Sequence, residues 1–560
     1  MNPRRRPPRR ARWIVVAAGL LAFSPQHRAV GAQDAPSGSR RLTFPVSTRL
    51  VQVSVIVHDK DGAAIGDLKL EDFQLFEDGK EQAIESFSVE SDAGAAAAAA
   101  TAAVAPNTFT NRESVRGGVT VILLDRLNTD WADQAQAKKQ VVKFLEQIQP
   151  GDRVGLYVLE SDVVRVLHDF SADTASLLKA LARHRARTSG ELAASEERVF
   201  DSGDVEMDVF LRESTRQVAA EFIRMRAQMS CRALEAIAQH LAGVRGRKNL
   251  IWVSSAFPLT FDDPIGRGGS ADLSVRSFSD EVQRATRALG DANIAVYPVD
   301  ARGVIGAFAI NPAAIPSTPD SGRTMRGAFT TLSTSMPAID TIQTIAENTG
   351  GRAFHGTNDI GGAIRRAVDD ARVTYLLGYS PSHARWDGRF REIKVKVRRA
   401  GAEVRHRRGY WALPPQRDAG KSTRELAETL RSPLEATGIA LSARVDADAI
   451  TDAGELSLAI QIEARAVTLE KKGEVWEGSF ALVIAQSNAA GRTWKAFDSS
   501  VDLRLPGEMR ERLLAQGLVV NKKLSLREDA ARVHVIVRDG ASGATGSLII
   551  PADRLRPAGR

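Results

Sequence analysis

The sequence predicts an α/β fold at its centre, a Rossmann-like domain with a mostly parallel sheet, carrying β-rich modules on its N-terminal and C-terminal sides. Three observations predict it. From about residue 115 to 380, short runs of Val, Ile and Leu alternate with stretches of helical periodicity, the pattern of βαβ units whose strands are buried on both faces. Outside that region apolar residues alternate singly, as in half-buried antiparallel strands. The chain, 560 residues with 43% apolar and 26% charged content, is too long for one core and ordinary in composition for globular domains.

The first 32 residues stand apart. "MNPRRRPPRRAR" is basic, and "WIVVAAGLLAF" (13–23) is apolar but shorter than the roughly 20 residues a membrane span needs. "AVGA" follows. That is the layout of a secretory signal peptide cut near Ala32, with an uncleaved N-terminal anchor as the alternative, and it predicts export to the periplasm, the cell envelope or the medium. No later stretch is long and apolar enough to span a bilayer. The formal net charge is +8. Arg4, Arg5, Arg6, Arg9, Arg10, Arg12 and Arg28 all lie in this leader, so the remainder is close to neutral. Basicity therefore gives no support for a nucleic-acid partner. The single cysteine, Cys231, excludes an intramolecular disulfide and thiolate metal clusters. It falls in a helical pattern and reads as a small buried apolar group.

Residues 45–90 read as a small β module. "LVQVSVIVHDKDG" alternates Val51, Val53, Val55 and Val57 and turns on Asp61-Gly62, and Asp78-Gly79 marks a hairpin. Residues 91–114 read as an Ala-rich linker. In 115–380, the strand readings are 119–124, 153–159, 163–168, 248–254, 293–299 and a short one at 352–355. The helical readings are 133–149, 174–184, roughly 205–243, 339–351 and 360–372. Gly, Pro, Ser and Thr dominate 302–336, a long insertion, and 264–274 is similar. Residues 381–413 extend the β pattern, and 373–413 can complete the module at 45–90, with the α/β domain inserted between. Residues 414–423 read as a linker, and 424–560 as a β-rich domain with one helix near 507–516.

Ligands of parallel α/β sheets bind outside the carboxyl ends of the strands. In "VTVILLDRLNTD" the first strand ends on Asp125, with Asn128 and Thr129 in the loop behind it. A carboxylate with hydroxyl and amide oxygens suits a hard divalent cation such as Mg²⁺. On this reading the charge is tolerated because the strand end opens on a solvent-facing cleft. The alternative is a cap for the helix starting near 131.

Several stretches resemble a known family: "LLDRLNT", "PGDRVGLYVL", "GRKNLIWVSSAFP", "NIAVYPVDARG", "TGGRAF", "YLLGYSP" and "RRGYWAL". Residues 115–380 are similar to a von Willebrand factor type A domain, and the whole chain resembles bacterial VWFA-related proteins of the Acidobacteria type. The resemblance implies a metal-ion-dependent adhesion site, beginning Asp-x-Ser-x-Ser. Here that element is Asp125-Arg126-Leu127-Asn128-Thr129, where Leu127 cannot ligate and Thr129 can. It also implies a hydroxyl from a middle loop, for which Ser230 is the candidate, and a carboxylate after the fourth strand, where this chain has Ser254 and Ser255. The implied site is degenerate: metal ligands Asp125, Thr129, Ser230 and Ser255, ligand-binding groups Asn128 and Ser254, and Mg²⁺ as the cofactor.

Other motifs carry less. Gly420-Lys421-Ser422 lacks the upstream glycine and strand of a phosphate loop. Ser254-Ser255 has no Gly-x-Ser-x-Gly context. "DSGDVEMD" (201–208) does not match a calcium loop, and the Val/Arg alternation in 398–408 reads as one wet strand face. The expectation is a non-enzymatic, adhesion-type protein that grips a protein partner at the strand-end cleft. The alternatives are a structural envelope protein in which Asp125 only caps a helix, and a metal-assisted hydrolase using Asp125 and the serines near 254, for which no base–nucleophile pair is in sight.

Overall fold

The computed structural model describes residues 50–91, 107–111, 118–149, 151–161, 163–195, 204–244, 246–257, 279–303, 342–383, 385–412, 419–445 and 455–556. The leader 1–32 and the two Gly/Pro-rich stretches, 264–274 and nearly all of 302–336, lie outside them.

The alternating valines form strand β1 (Val51–His58), followed by β2 (Phe73–Glu77), β3 (Lys80–Gln82) and β4 (Ser86–Ser91). Asp78 and Gly79 turn β2 into β3 with φ of 46° and 79°, the left-handed pair a two-residue hairpin requires. These strands interleave with β11 (Val373–Tyr379), β12 (Phe390–Val397), β13 (Glu403–His406) and β14 (Gly409–Trp411). One sheet runs β13-β1-β11-β4 and the other β14-β12-β2-β3. Val53, Val55, Leu75, Tyr375, Leu377 and Ile393 fill the space between them. In sequence the α/β domain thus lies between two adjacent strands of one sandwich, β4 and β11, which pair antiparallel.

The α/β sheet has the order β10-β9-β6-β7-β8, from β6 (Val119–Asp125), β7 (Val154–Glu160), β8 (Val163–Ser171), β9 (Lys248–Ser254) and β10 (Ile294–Asp300). Four strands are parallel; β8 pairs antiparallel with β7 at the edge. Helices α1 (Trp131–Leu145), α2 (Thr174–Arg183) and α7 (Ile360–Asp369) cover one face through Val141, Phe144, Leu177 and Ile364. Between them in sequence come the short α3 (Gly190–Ala194), the long α4 (Val205–Leu241), α5 (Ser279–Asp291) and α6 over 342–349. On the other face α4, α5 and α6 contribute Leu234, Ile237, Leu289 and Ile345. Cys231 lies in that core at 2% exposure. Residues 352–355 form no strand, only a bridge between Phe354 and Val299. The chain leaves β6 toward β7 and returns on the other side as β9. The order therefore reverses at β6, and the crevice rule points to the ends of β6 and β9.

The C-terminal region is a second sandwich, one sheet running β20-β16-β15-β5 and the other β17-β18-β21-β22 with β19 on β18. Its strands after β14 are β15 (Leu441–Val445), β16 (Glu455–Ile462), β17 (Glu470–Lys472), β18 (Val475–Ser487), β19 (Thr493–Pro506), β20 (Leu518–Ser525), β21 (Arg532–Asp539) and β22 (Thr545–Pro551). Strand β5 (Thr108–Thr110) comes from the stretch that reads as an Ala-rich linker. Asn111 behind it donates to the carbonyls of Ala436 and Ile439 and accepts from Leu441 N–H, which ties this stretch to the distant domain. The linker reading of 414–423 also meets a difference: helix α8 (Ala419–Arg431) begins inside it. Helix α9 (Gly507–Gln516) ends on Gly517 at φ 77°.

Candidate functional site

At the carboxyl end of β6 the structure brings together all six residues singled out above. Asp125 Oδ1 accepts the backbone N–H of Asn128 at 2.9 Å. Oδ2 accepts the side-chain amide of Asn128 and the indole N–H of Trp252, each at 2.9 Å. Ser254 Oγ lies 2.9 Å from Oδ2 and 2.7 Å from the Ala256 carbonyl, so its one proton serves one of them at a time. Asn128 also donates to Ser230 Oγ at 3.0 Å. Thr129 Oγ1 accepts from the Ser255 N–H at 3.1 Å and lies 3.4 Å from Ser254 Oγ. Ser255 Oγ lies 3.4 Å from the Asn128 carbonyl.

The exposure differs from what the sequence leads one to expect. Asp125 is 2% exposed, and Asn128, Thr129, Ser230 and Ser254 are buried with it. The strand end does not open on water at this carboxylate. Leu127 is wholly buried in the core, so its apolar side chain packs there and offers no ligand. Burial pushes the Asp125 carboxyl above its ordinary range, against the pull of its hydrogen bonds from Asn128, Trp252 and Ser254. Asp125 also caps no helix: Asp130 stands at the start of α1, and its side chain makes no capping bond there.

Whether these residues fit a divalent cation turns on which way the hydrogens point. A cation needs lone pairs converging on one point and, for Mg²⁺, room for retained waters. Here N–H and O–H groups converge on the carboxylate. The indole of Trp252 is a donor only and cannot ligate. The void beside Asp125, bounded by Thr129, Gln134 and His184, measures about 10 Å³, room for one water at most. In this arrangement the set does not fit a hydrated Mg²⁺. Among the described residues no group of three or more His, Cys, Asp or Glu side chains is placed to hold an ion.

What the site does is lock loops. Asp125 ties 126–129 to β9, and Gln134 Nε2 donates to the carbonyls of Thr129 and Arg187. Asp300, at the end of β10, is held by Arg302 through both carboxylate oxygens. Asp133 is the more open acid of this rim: burial raises its pKa, Asp130 and Asp300 add to the rise, and Ser255 opposes it. Sequence reasoning missed Trp252 and Gln134. The available signal for Trp252 was period two: it lies on the same strand face as Ser254.

No protein-family model and no curated protein sequence matches the chain. Among solved structures, it is similar to the crystal structure of the SpRpn10 VWA domain, at 13% identity over 33% of this chain and 75% of that one, with a TM-score of 0.16. It is also similar to the pilus adhesin SpaC from Lactobacillus rhamnosus GG, at 10% identity over 82% of this chain and 58% of that one, with a TM-score of 0.26. The N-terminal domain of TFIIH p34 aligns at 10% identity over 45% of this chain and 97% of that one, with a TM-score of 0.19. These likenesses are loose. No helix among the described residues is long and apolar enough to cross a membrane.

Proposed function

We propose that the chain is an exported, non-enzymatic binding protein of the adhesion type, which engages a protein partner with the strand-end side of its α/β domain while Asp125 holds that side in shape from within. The observation that carries this reading is the length and surface of α4. Ser230 stands level with the strand ends, beside Asn128, and the helix begins at Val205. At 1.5 Å per residue, roughly 37 Å of helix precedes Ser230. Val205, Met207, Val209, Phe210 and Val218 are exposed along it, Phe210 at 66%. Large apolar side chains exposed at several positions of one element mark contact surfaces more often than a single one does. At the same end, Trp131 is 60% exposed on the first turn of α1. The backbone there is anchored: the main-chain N–H of Trp131 donates to Thr188 Oγ1, which donates to Asp130. An exposed indole is among the residue types that most often anchor a protein interface.

Export rests on the layout of residues 1–32, and the partner would be a protein of the envelope or the surroundings. The test is capture from an envelope fraction by wild-type protein and by a Phe210→Ser/Val218→Ser variant, each with and without chelator. The reading expects a partner retained by the wild type in both conditions and lost by the variant. Capture unchanged by the double substitution would move the contact elsewhere; capture abolished by chelator would reinstate a metal-bridged contact.

A further inference from the structure

A second polar cavity lies far from the strand ends, where the N-terminal sandwich meets helices α5 and α6. It measures about 140 Å³. One water needs about 10–15 Å³, so this cavity takes a molecule of several heavy atoms. Trp386, Tyr410 and Trp411 supply its aromatic wall, and Arg407, Asn348, Arg287 and Asp291 its polar groups.

Two of those groups lack what buried polar groups ordinarily have. Asn348 is 4% exposed, and neither its amide nitrogen nor its amide oxygen has a hydrogen-bond partner. Arg407 donates from one terminal nitrogen to the Gln52 carbonyl at 2.7 Å, but its Nε is buried without a partner. No carboxylate of the described residues lies within ion-pair distance of it. Asp291 is taken by Arg287, at 3.3 Å. Two guanidiniums thus face one carboxylate across the cavity. Burial pushes the Arg407 pKa down, with Asp291 opposing, the signature of a cation whose counter-charge is too far away. A half-buried guanidinium without a counter-charge and a buried amide without partners each cost stability unless a ligand pairs with them.

The aromatic wall is built rather than incidental. Tyr410 donates to Glu77 at 2.9 Å, and Tyr379 donates to the same oxygen at 2.6 Å. His383 stands 3.2 Å from the other Glu77 oxygen. The Arg407 guanidinium lies 5.9 Å from the centroid of the Tyr410 ring. On the opposite side Gly290 makes the space: a Cβ there would fall 2.9 Å from an Arg407 nitrogen.

We infer that this cavity is a binding site for a small organic carboxylate with a flat apolar body: Arg407 and the Asn348 amide hold the carboxylate, and the tryptophans and Tyr410 cover the body. Arginine and a side-chain amide provide N–H donors for carboxylate oxygens. The site stands independently of the strand-end surface, so either can fail without the other.

Phenylacetate is a suitable probe, with phenylacetamide as its uncharged counterpart. Binding is followed on the full chain by calorimetry and by quenching of tryptophan fluorescence. Phenylacetate is expected to bind saturably at millimolar concentration or better, with phenylacetamide at least about tenfold weaker. Asn348→Leu is expected to weaken phenylacetate about tenfold with the far-ultraviolet circular dichroism unchanged. Arg407→Gln is expected to abolish the preference for the acid over the amide. Should Arg407→Gln unfold because the Gln52 contact is lost, Gly290→Ala, which crowds the guanidinium, provides the second variant and is expected to weaken the acid selectively. Equal binding of acid and amide, no saturable binding of either, or undiminished binding in Asn348→Leu would overturn the assignment.

Discussion

The end of β6 and the seam beside α5 both bury polar groups, and they do it in opposite ways. At Asp125, a charge that the sequence places on a strand end is surrounded by three donor residues from two elements: Asn128 of the following loop, and Trp252 and Ser254 of β9. At Arg407 the charge keeps one hydrogen bond to the Gln52 carbonyl, and the neighbouring Asn348 amide has none. The difference teaches how to tell a structural polar group from a binding one. A buried group whose capacity is used internally has nothing left to offer; one left short is waiting for a partner. At the motif that draws the eye in the sequence, the Asp125 carboxylate belongs to the first kind, while the neighbouring Asn128 side-chain oxygen is left without a partner.

The largest test of that contrast is Asp125→Ala. It strands the Trp252 indole N–H and the Asn128 backbone N–H inside the domain. At about 1–3 kcal/mol for each orphaned donor, plus the lost loop anchor, the expected loss is about 3–5 kcal/mol in urea unfolding. A loss under about 1 kcal/mol would mean that the carboxylate is not structural after all.

A third buried group, Glu235 on α4, falls between the two cases. Among the described residues its ion-pair partner is Arg284, at 3.5 Å. Burial raises its pKa to about 7, with Arg284 opposing. The folded protein therefore holds this proton more tightly than the unfolded chain does. The contribution is fully present below the unfolded value near pH 4.5 and is lost as pH rises toward 7. The span corresponds to about 3 kcal/mol at most. Glu435, also raised to about 7, acts in the same direction. His184 and His534, both lowered to about 4 by burial, act in the opposite one and lose stability as pH falls from 6.5. Glu235→Gln isolates the first term: the difference in stability between variant and wild type should grow in favour of the variant from pH 5 to pH 7. A difference independent of pH would show that burial does not shift the Glu235 carboxyl.

How much of this was legible beforehand follows the same division. The valines of β1, the run "VTVILL" and the Asp78-Gly79 turn are local signals, and the strands and the turn stand where they point. The mixed α/β class rests on such signals summed over 115–380. Helix α8 begins behind Pro414-Pro415 in a Lys/Ser/Thr/Glu-rich run, whose polarity hid its helical spacing. Three residues of β5 are too few for any period to show. The six residues at Asp125 were named from spacing and resemblance, but the burial of all but Ser255 involves elements distant in sequence, among them Trp252, from a strand well over a hundred residues away. The seam cavity takes its wall from Gln52, Gly290, Asn348, Trp386 and Arg407, and no short motif contains them.

The seam itself gives a smaller stability test. Asn348→Leu replaces an amide without partners by an apolar side chain of similar volume. Such replacements are nearly neutral or stabilising, so the expected change is about 0 to +1 kcal/mol, opposite in sign to Asp125→Ala. A loss above about 1 kcal/mol would show that the amide is satisfied in solution and would remove the contrast.

The smallest expected effect is that of magnesium. If Asp125 held a divalent cation in the native state, free ion at about 100 times its dissociation constant would add about 2.7 kcal/mol. That gain would disappear in Asp125→Asn, which lacks the charge. The geometry expects otherwise. Binding would have to turn the Trp252 N–H and the Ser254 hydroxyl away from Oδ2, breaking two buried hydrogen bonds before the ion made its first contact. It would also need more room than the 10 Å³ void provides. Millimolar Mg²⁺ should therefore leave the thermal midpoint of the wild type unchanged within scatter, and the near-ultraviolet circular dichroism of the buried indole with it. A midpoint that rises with Mg²⁺ in the wild type and not in Asp125→Asn would mean that the loops at the end of β6 have an open state the closed arrangement conceals, and that the two regions are alike in waiting for a partner.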